Sequence, residues 1–166
     1  MNLYRFADNV QNWVDLLGLA RCNYSITNHS FSCKAENPKE EIRIHSIDSS
    51  CIHSGRGEHR NNINSVNERK YGPIWPGKFN MAPNTKPERL GKNWYALQEE
   101  NWGKLDSILY MLHLKRGGAN LHLGRESHGC ITVSEKENCK KEYNNLINLL
   151  NRELESGYKN MLEVTE

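Results

Sequence analysis

No CxxC pair occurs in this 166-residue sequence, no apolar run approaches a membrane span, and the formal net charge is only +2. Each absence removes a class of protein. Without CxxC, a zinc ribbon or a thioredoxin-like redox site is disfavoured. A span needs roughly 20 consecutive apolar residues, so membrane insertion is not expected. A balance so near neutral argues against a sequence-independent nucleic-acid binder. The N-terminus, MNLYRFADNVQNW, lacks the basic start and apolar stretch of a signal peptide. Action outside a cytosol then requires some other carrier. Internal repeats and low-complexity segments are also missing.

What is present suits one soluble domain. Apolar residues make up 37% and charged residues 25%, and the length allows a proper core. The five cysteines are Cys22, Cys33, Cys51, Cys130 and Cys139, an odd count. One reading sets Cys130 aside as a reactive thiol and leaves four for up to two disulfides, with three possible connectivities. The other keeps all five reduced, as in a cytosolic protein.

Along the chain, residues 1–19 differ from the rest, and 20–40 are polar and read as loop. EIRIHSI (41–47) alternates like a strand, and CIHSGRG reads as its hairpin return. Residues 56–72 read as an exposed polar loop and 82–93 as another. KFNM, NWYALQEE, DSILYMLHLK (106–115) and ANLHLG are strand candidates, the last two joined by a turn at Arg116-Gly117-Gly118. After a short ITV run, Ser134 and Glu137 fit a capping box. Tyr143, Leu146, Ile147, Leu150 and Leu154 then keep helical spacing towards a Gly157 cap. The expected fold is mainly β (α+β): many short strands with a C-terminal amphipathic helix.

The chemistry concentrates in NLHLGRESHGCITVS, residues 120–134. A thiol attacks a carbonyl only as thiolate, so it needs a base or a positive field. It also needs amide donors aimed at the developing oxyanion. Gly129 lets a substrate carbonyl approach the backbone beside Cys130. Ala119, Leu121 and Leu123 share one strand face, which turns His122 to the other with Asn120 and Gly124. His122 is the favoured base and His113 its rival, while His128 reads as substrate-facing. The bland alternative is that Cys130 is a small buried hydrophobe. Zinc ligation by His113, His122, His128 and Cys130 is chemically legal, but the spacing matches no familiar zinc pattern. No metal or organic cofactor is expected.

Ser127-His128-Gly129-Cys130-Ile131 resembles the S/T-H-G-C signature of the L,D-transpeptidase family. HSGRGEHRNN (53–62) and YGPIWPGKFNM (71–81) resemble segments of the transpeptidase-like effector branch used in interbacterial killing. The resemblance implies an L,D-transpeptidase-like β-sandwich or barrel over residues 20–166. It implies Cys130 as acylated nucleophile, His122 as base, and Gly129 with its neighbouring amides as oxyanion hole. Ser127 belongs to the same catalytic set, with His128, His113 and Arg125 towards the substrate. The substrate class would be peptidoglycan stem peptides, losing or exchanging a terminal D-Ala through a thioester. Where many members carry arginine two residues after the cysteine, this chain has Thr132.

NLYRFADNVQNWVDLLGL, at the front, resembles the end of an Rhs core, with Tyr4, Asn9, Asp15, Gly18 and Leu19 in step and Leu16 in place of a proline. Together the resemblances imply a toxin tip carried by an Rhs core and secretion apparatus. It would act in the periplasm of a target bacterium and be countered by a cognate immunity protein. A periplasmic setting favours disulfides among Cys22, Cys33, Cys51 and Cys139. Two other readings compete: a nuclease tip, and a non-catalytic wall-binding module. A papain-like hydrolase is disfavoured, because the histidines here precede the cysteine.

Overall fold

The computed structural model describes residues 19–84 and 93–166. The Rhs-like segment, except for Leu19, and most of the loop expected over 82–93 lie outside the described residues.

One nine-stranded sheet dominates. Its strands in chain order are β1 (Leu19–Ser25), β2 (Ser30–Lys34), β3 (Ile44–Ile47), β4 (Ile52–Ser54), β5 (Gly77–Pro83), β6 (Tyr95–Glu99), β7 (Ala119–Leu123), β8 (Ile131–Val133) and β9 (Lys159–Thr165). Across the sheet they lie in the order β3-β2-β1-β9-β5-β6-β7-β8-β4. Among the described residues two α-helices accompany them, α1 (Lys104–Met111) and α2 (Glu137–Glu155). The mainly β expectation with a late amphipathic helix is met.

Helix α2 packs against β3, β8 and β9. Since β3 is one edge of the sheet and β8 lies next to the other, the sheet must curl around the helix. Tyr143, Leu146, Ile147, Leu149 and Leu150 are buried in that concave face, as the helical spacing predicts. Glu153 is buried too, and its carboxylate accepts the Glu36 and Asn37 backbone N–H groups at 3.1 and 3.2 Å. A buried carboxylate so paired avoids the cost of lost hydration.

Two disulfides form, Cys22–Cys33 and Cys51–Cys139, and Cys130 is free. This selects one of the three open connectivities. Cys22 and Cys33 lie directly opposite across the β1–β2 hairpin. Cys51–Cys139 ties the turn before β4 to the first turn of α2.

The structure corrects several local readings. Residues 20–40 contain the β1–β2 hairpin. Its inward set, Cys22, Tyr24, Phe31 and Cys33, alternates with polar outward residues, so average polarity hid the period-2 pattern. Residues 104–111 form a helix, overlapping the stretch 106–115 expected to be a strand. Asp106 accepts the Gly103 N–H at 2.8 Å, satisfying one of the amides orphaned at a helix start. Leu105, Ile108 and Met111, spaced by three, stay exposed. Strand β4 pairs with β8 rather than returning along β3. The stretch 56–72 contains two short 3-10 turns. Helix α2 starts at Glu137 without the expected capping box, and Lys136 is its N-cap. Strand β9 was not foreseen.

Candidate active site

Strands β7 and β8 run parallel, with His122 opposite Thr132. Strand β4 runs antiparallel to β8 and sets His53 opposite the same Thr132. Alternate residues of a strand share a face, so Asn120, His122, Thr132 and His53 line one side. Leu121, Ile131 and Val133 pack into the core on the other. This is the two-faced arrangement expected for His122 and Asn120.

Cys130 stands just before β8, partly buried. Ser127 is fully buried. Its hydroxyl donates to the Cys130 carbonyl and accepts the Gly55 N–H at 3.1 Å. The Ser54 hydroxyl donates to that same carbonyl at 2.7 Å and accepts the Ile74 N–H. These bonds fix the backbone that presents the sulfur, and both bonds of the Ser127 hydroxyl go to main-chain groups.

Burial pushes the Cys130 thiol up. Opposing that are the backbone and side-chain N–H groups of Asn120, the His128 backbone N–H and the Arg116 guanidinium. Each favours the thiolate, by a hydrogen bond to it or by charge. Gly129 adopts φ +84°, and a Cβ added there would fall 2.6 Å from Arg116 Nη2. The left-handed conformation favours glycine here, and a side chain would also displace the guanidinium.

His122 is 6% exposed. Its Nδ1 lies 2.9 Å from the Leu123 carbonyl oxygen, and its Nε2 lies 3.2 Å from the Thr132 hydroxyl. A carbonyl can only accept, so the Nδ1 proton is fixed and Nε2 holds the lone pair, receiving the Thr132 O–H. Trp94 stacks on the ring at 4.0 Å between centroids and 16° between planes. Burial lowers the His122 pKa, against the Leu123 bond that raises it. The ring nitrogens of His122 are directed at Leu123 and Thr132, while the N–H groups that favour the Cys130 thiolate are those of Asn120 and His128. His122 lies two residues beyond Asn120, a step of about 6.6 Å along the strand.

His113 is exposed, on left-handed backbone (φ 56°) just past α1. It lines a cavity of about 340 Å³ with Gly129, His128, Arg116, Arg69 and Lys70. The cavity is strongly cationic and opens beside the Cys130 turn. A second cavity, of about 570 Å³, is lined by Asn120, Trp75, Trp102 and Tyr110. Trp75, Tyr110 and Gly117 line both cavities, and Gly129, next to Cys130 in sequence, lines the first. Arg125 points elsewhere: it is exposed, paired with Glu135 at 3.0 Å, and lines a separate cavity with His53 and Arg60.

Asn120 and Arg116 are the contributors that sequence reading under-weighted. Asn120 was legible only as a face-mate of His122, and Arg116 only as part of a turn. Among the described residues, no group of three or more His, Cys, Asp or Glu side chains is placed to hold a metal ion. No helix there is long and apolar enough to cross a membrane.

The sequence model of the Tlde1 domain matches residues 49–156, which include β4, β7, β8 and all the residues above. A search of curated proteins finds no match. Among solved structures, an L,D-transpeptidase from Mycobacterium smegmatis superposes with a TM-score of 0.39 at 14% identity, covering 89% of this chain and 58% of that one. L,D-transpeptidase 3 from Mycobacterium tuberculosis gives 0.40 at 15% identity, covering 89% and 61%. The chain therefore spans about three-fifths of the length of either, and overlap at that level is loose.

Proposed function

The chain belongs to the Tlde1 domain family, a family of type VI secretion effectors, and on that premise we propose that it is a cysteine acyl-transfer enzyme acting on peptidoglycan stem peptides. The observation that carries this reading is the free Cys130 thiol, held on a backbone turn fixed by Ser54 and Ser127 and beside the buried His122–Thr132 pair, in a chain whose other four cysteines are oxidised.

The proposed reaction runs as follows. His122 Nε2 exchanges the Thr132 hydroxyl for the thiol and takes its proton. Cys130 Sγ attacks the carbonyl carbon of the third stem residue, and the amides flanking Gly129 hold the oxyanion. The C–N bond to the terminal D-Ala breaks, and its amine leaves with the proton from the imidazolium. The thioester then passes its acyl group to water, a D-amino acid or a second stem amine. The cationic cavity beside Gly129, with Arg69, Lys70, His113 and Arg116, suits the carboxylates of a stem peptide. Delivery to the periplasm of a rival, an Rhs carrier and a cognate immunity protein complete the proposal.

Mass spectrometry of muropeptides incubated with the protein tests it. Loss of one D-Ala from tetrapeptides, or exchange of the terminal residue, is expected from the wild type and not from Cys130→Ala. Unchanged muropeptides with the wild type overturn the reading.

A further inference from the structure

Arg116 has an unusual set of partners. Its Nη1 donates to the Val66 carbonyl and its Nη2 to the Gly72 carbonyl at 3.2 Å. Its guanidinium also lies over the Trp75 ring, 5.0 Å from the centroid. Both hydrogen-bond partners are neutral, and no carboxylate forms an ion pair with it among the described residues. Carbonyl bonds orient a guanidinium without cancelling its charge. The same Nη2 is the atom that a Cβ on Gly129 would strike, so the charge is packed against the residue preceding the thiol.

We propose that Arg116 is the positioning cation of this site: clamped by loop 66–72 and packed on Gly129, it supplies the positive field that the Cys130 thiolate faces. This rests on the reading of Cys130 as a nucleophile. It assigns the work of ionising the sulfur to a permanent charge, leaving His122 to move the proton. That division agrees with the geometry, in which the imidazole is bonded to Thr132 and the N–H donors of Asn120 and His128 complete the surroundings of the sulfur. The other charged groups acting on Arg116 are Glu68 and Arg69, with Lys70, His113 and Lys115 around the same cavity. Glu68 opposes the effect, and Arg69, Lys70 and Lys115 reinforce it. None of them is clamped against Gly129 as Arg116 is.

The clamp also explains two glycines together. A Cβ at Gly72 would meet the Ser65 and Glu68 carbonyls at 2.2 and 2.4 Å, so the loop that offers the Gly72 carbonyl to Arg116 closes only with glycine there. Gly129 packs against the same guanidinium.

Cys130 is the free thiol of the disulfide-intact chain, so alkylation by iodoacetamide without reductant reads this sulfur alone. The experiment follows alkylation rate against pH for the full chain and for Arg116→Gln and Arg116→Lys, each checked for folding by near-UV circular dichroism. Glutamine keeps a donor for the Gly72 carbonyl but no charge. Its midpoint is expected to rise by about one pH unit or more, lowering the rate at pH 7 about tenfold. Lysine keeps the charge and should restore a midpoint near that of the wild type. An unchanged midpoint in Arg116→Gln overturns the proposal. A midpoint in Arg116→Lys raised by a unit overturns it as well, and this result decides alone if the glutamine variant does not fold. Alkylation is independent of peptidoglycan turnover. A chain that behaves as expected here yet leaves muropeptides intact would refute the proposed function and not this one.

Discussion

Two parallel strand pairs share the sheet, β1 with β9 and β7 with β8, and they are built on different terms. In β1–β9 the inward residues Cys22, Tyr24, Leu162 and Val164 are buried, while Arg21, Asn23 and Glu163 stand in solvent. In β7–β8 nearly every residue is buried on both faces, and one of those faces is polar. A buried polar group costs free energy unless it is hydrogen-bonded. His122 and Thr132 satisfy each other, whereas His53 Nε2 has no hydrogen-bond partner among the described residues. The first pair holds the molecule together. The second sets a buried row of donors and acceptors beside a thiol, where fixed dipoles act most strongly.

Substitutions can break this contrast at several depths. Cys130→Ala, the deepest, should reduce muropeptide conversion to background while leaving the melting temperature close to that of the wild type. A large loss of stability would instead mark Cys130 as an ordinary core residue. His122→Gln should lower kcat by about 10²- to 10⁴-fold, the usual range for a general base, measured by the release of D-Ala.

The disulfides set the two regions side by side. By loop-closure entropy, removing Cys51–Cys139, with a separation of 88 residues, should cost about 4–5 kcal/mol in urea unfolding. Removing Cys22–Cys33, with a separation of 11, should cost about 3 kcal/mol.

His53 gives the contrast a pH dependence. Burial, then Arg60 and His122, lower its pKa to about 4. As pH falls below 6.5 the unfolded chain takes up a proton that the folded chain refuses until pH 4. Stability therefore declines between those values, by about 3 kcal/mol in total. Urea unfolding at pH 7 and pH 4 should show this component in the wild type and lose it in His53→Gln. An equal decline in both would assign it to other groups.

The smallest effect is expected from Thr132→Val, which leaves His122 Nε2 without its donor. A loss of about 1 kcal/mol in thermal unfolding, with kcat within about threefold, would place Thr132 as a structural partner of the imidazole. A far larger fall in kcat would mean that it takes part in the reaction.

The legible parts of the fold were those with local causes. Helix α2 announced itself through the spacing of Tyr143, Leu146, Ile147 and Leu150, and the site through the cluster around Cys130. The alternation of ANLHL placed Asn120 and His122 on one face before any coordinates did. Pairing was not legible. Nothing in CIHS says that β4 joins β8 instead of β3, because that choice is made by the curl of the sheet around α2. Residues 104–111 misled because their apolar content suits either a strand or a helix, and an exposed helix lacks the burial that would have sharpened its period. Arg116 was invisible as part of the site because its partners, Val66 and Gly72, are distant in sequence and offer only backbone atoms.

Strand β9 has a consequence for synthesis. Although last in sequence, it lies between β1 and β5, in parallel register with one and antiparallel register with the other. A ribosome that has released residues up to 158 has made every other strand and left the slot between them empty. Without β9, nothing joins β3-β2-β1 to β5-β6-β7-β8-β4, since β1 and β5 pair only through it. Pairings so distant in sequence form slowly, so the sheet, and with it the setting of Cys130, is completed only after translation passes Lys159.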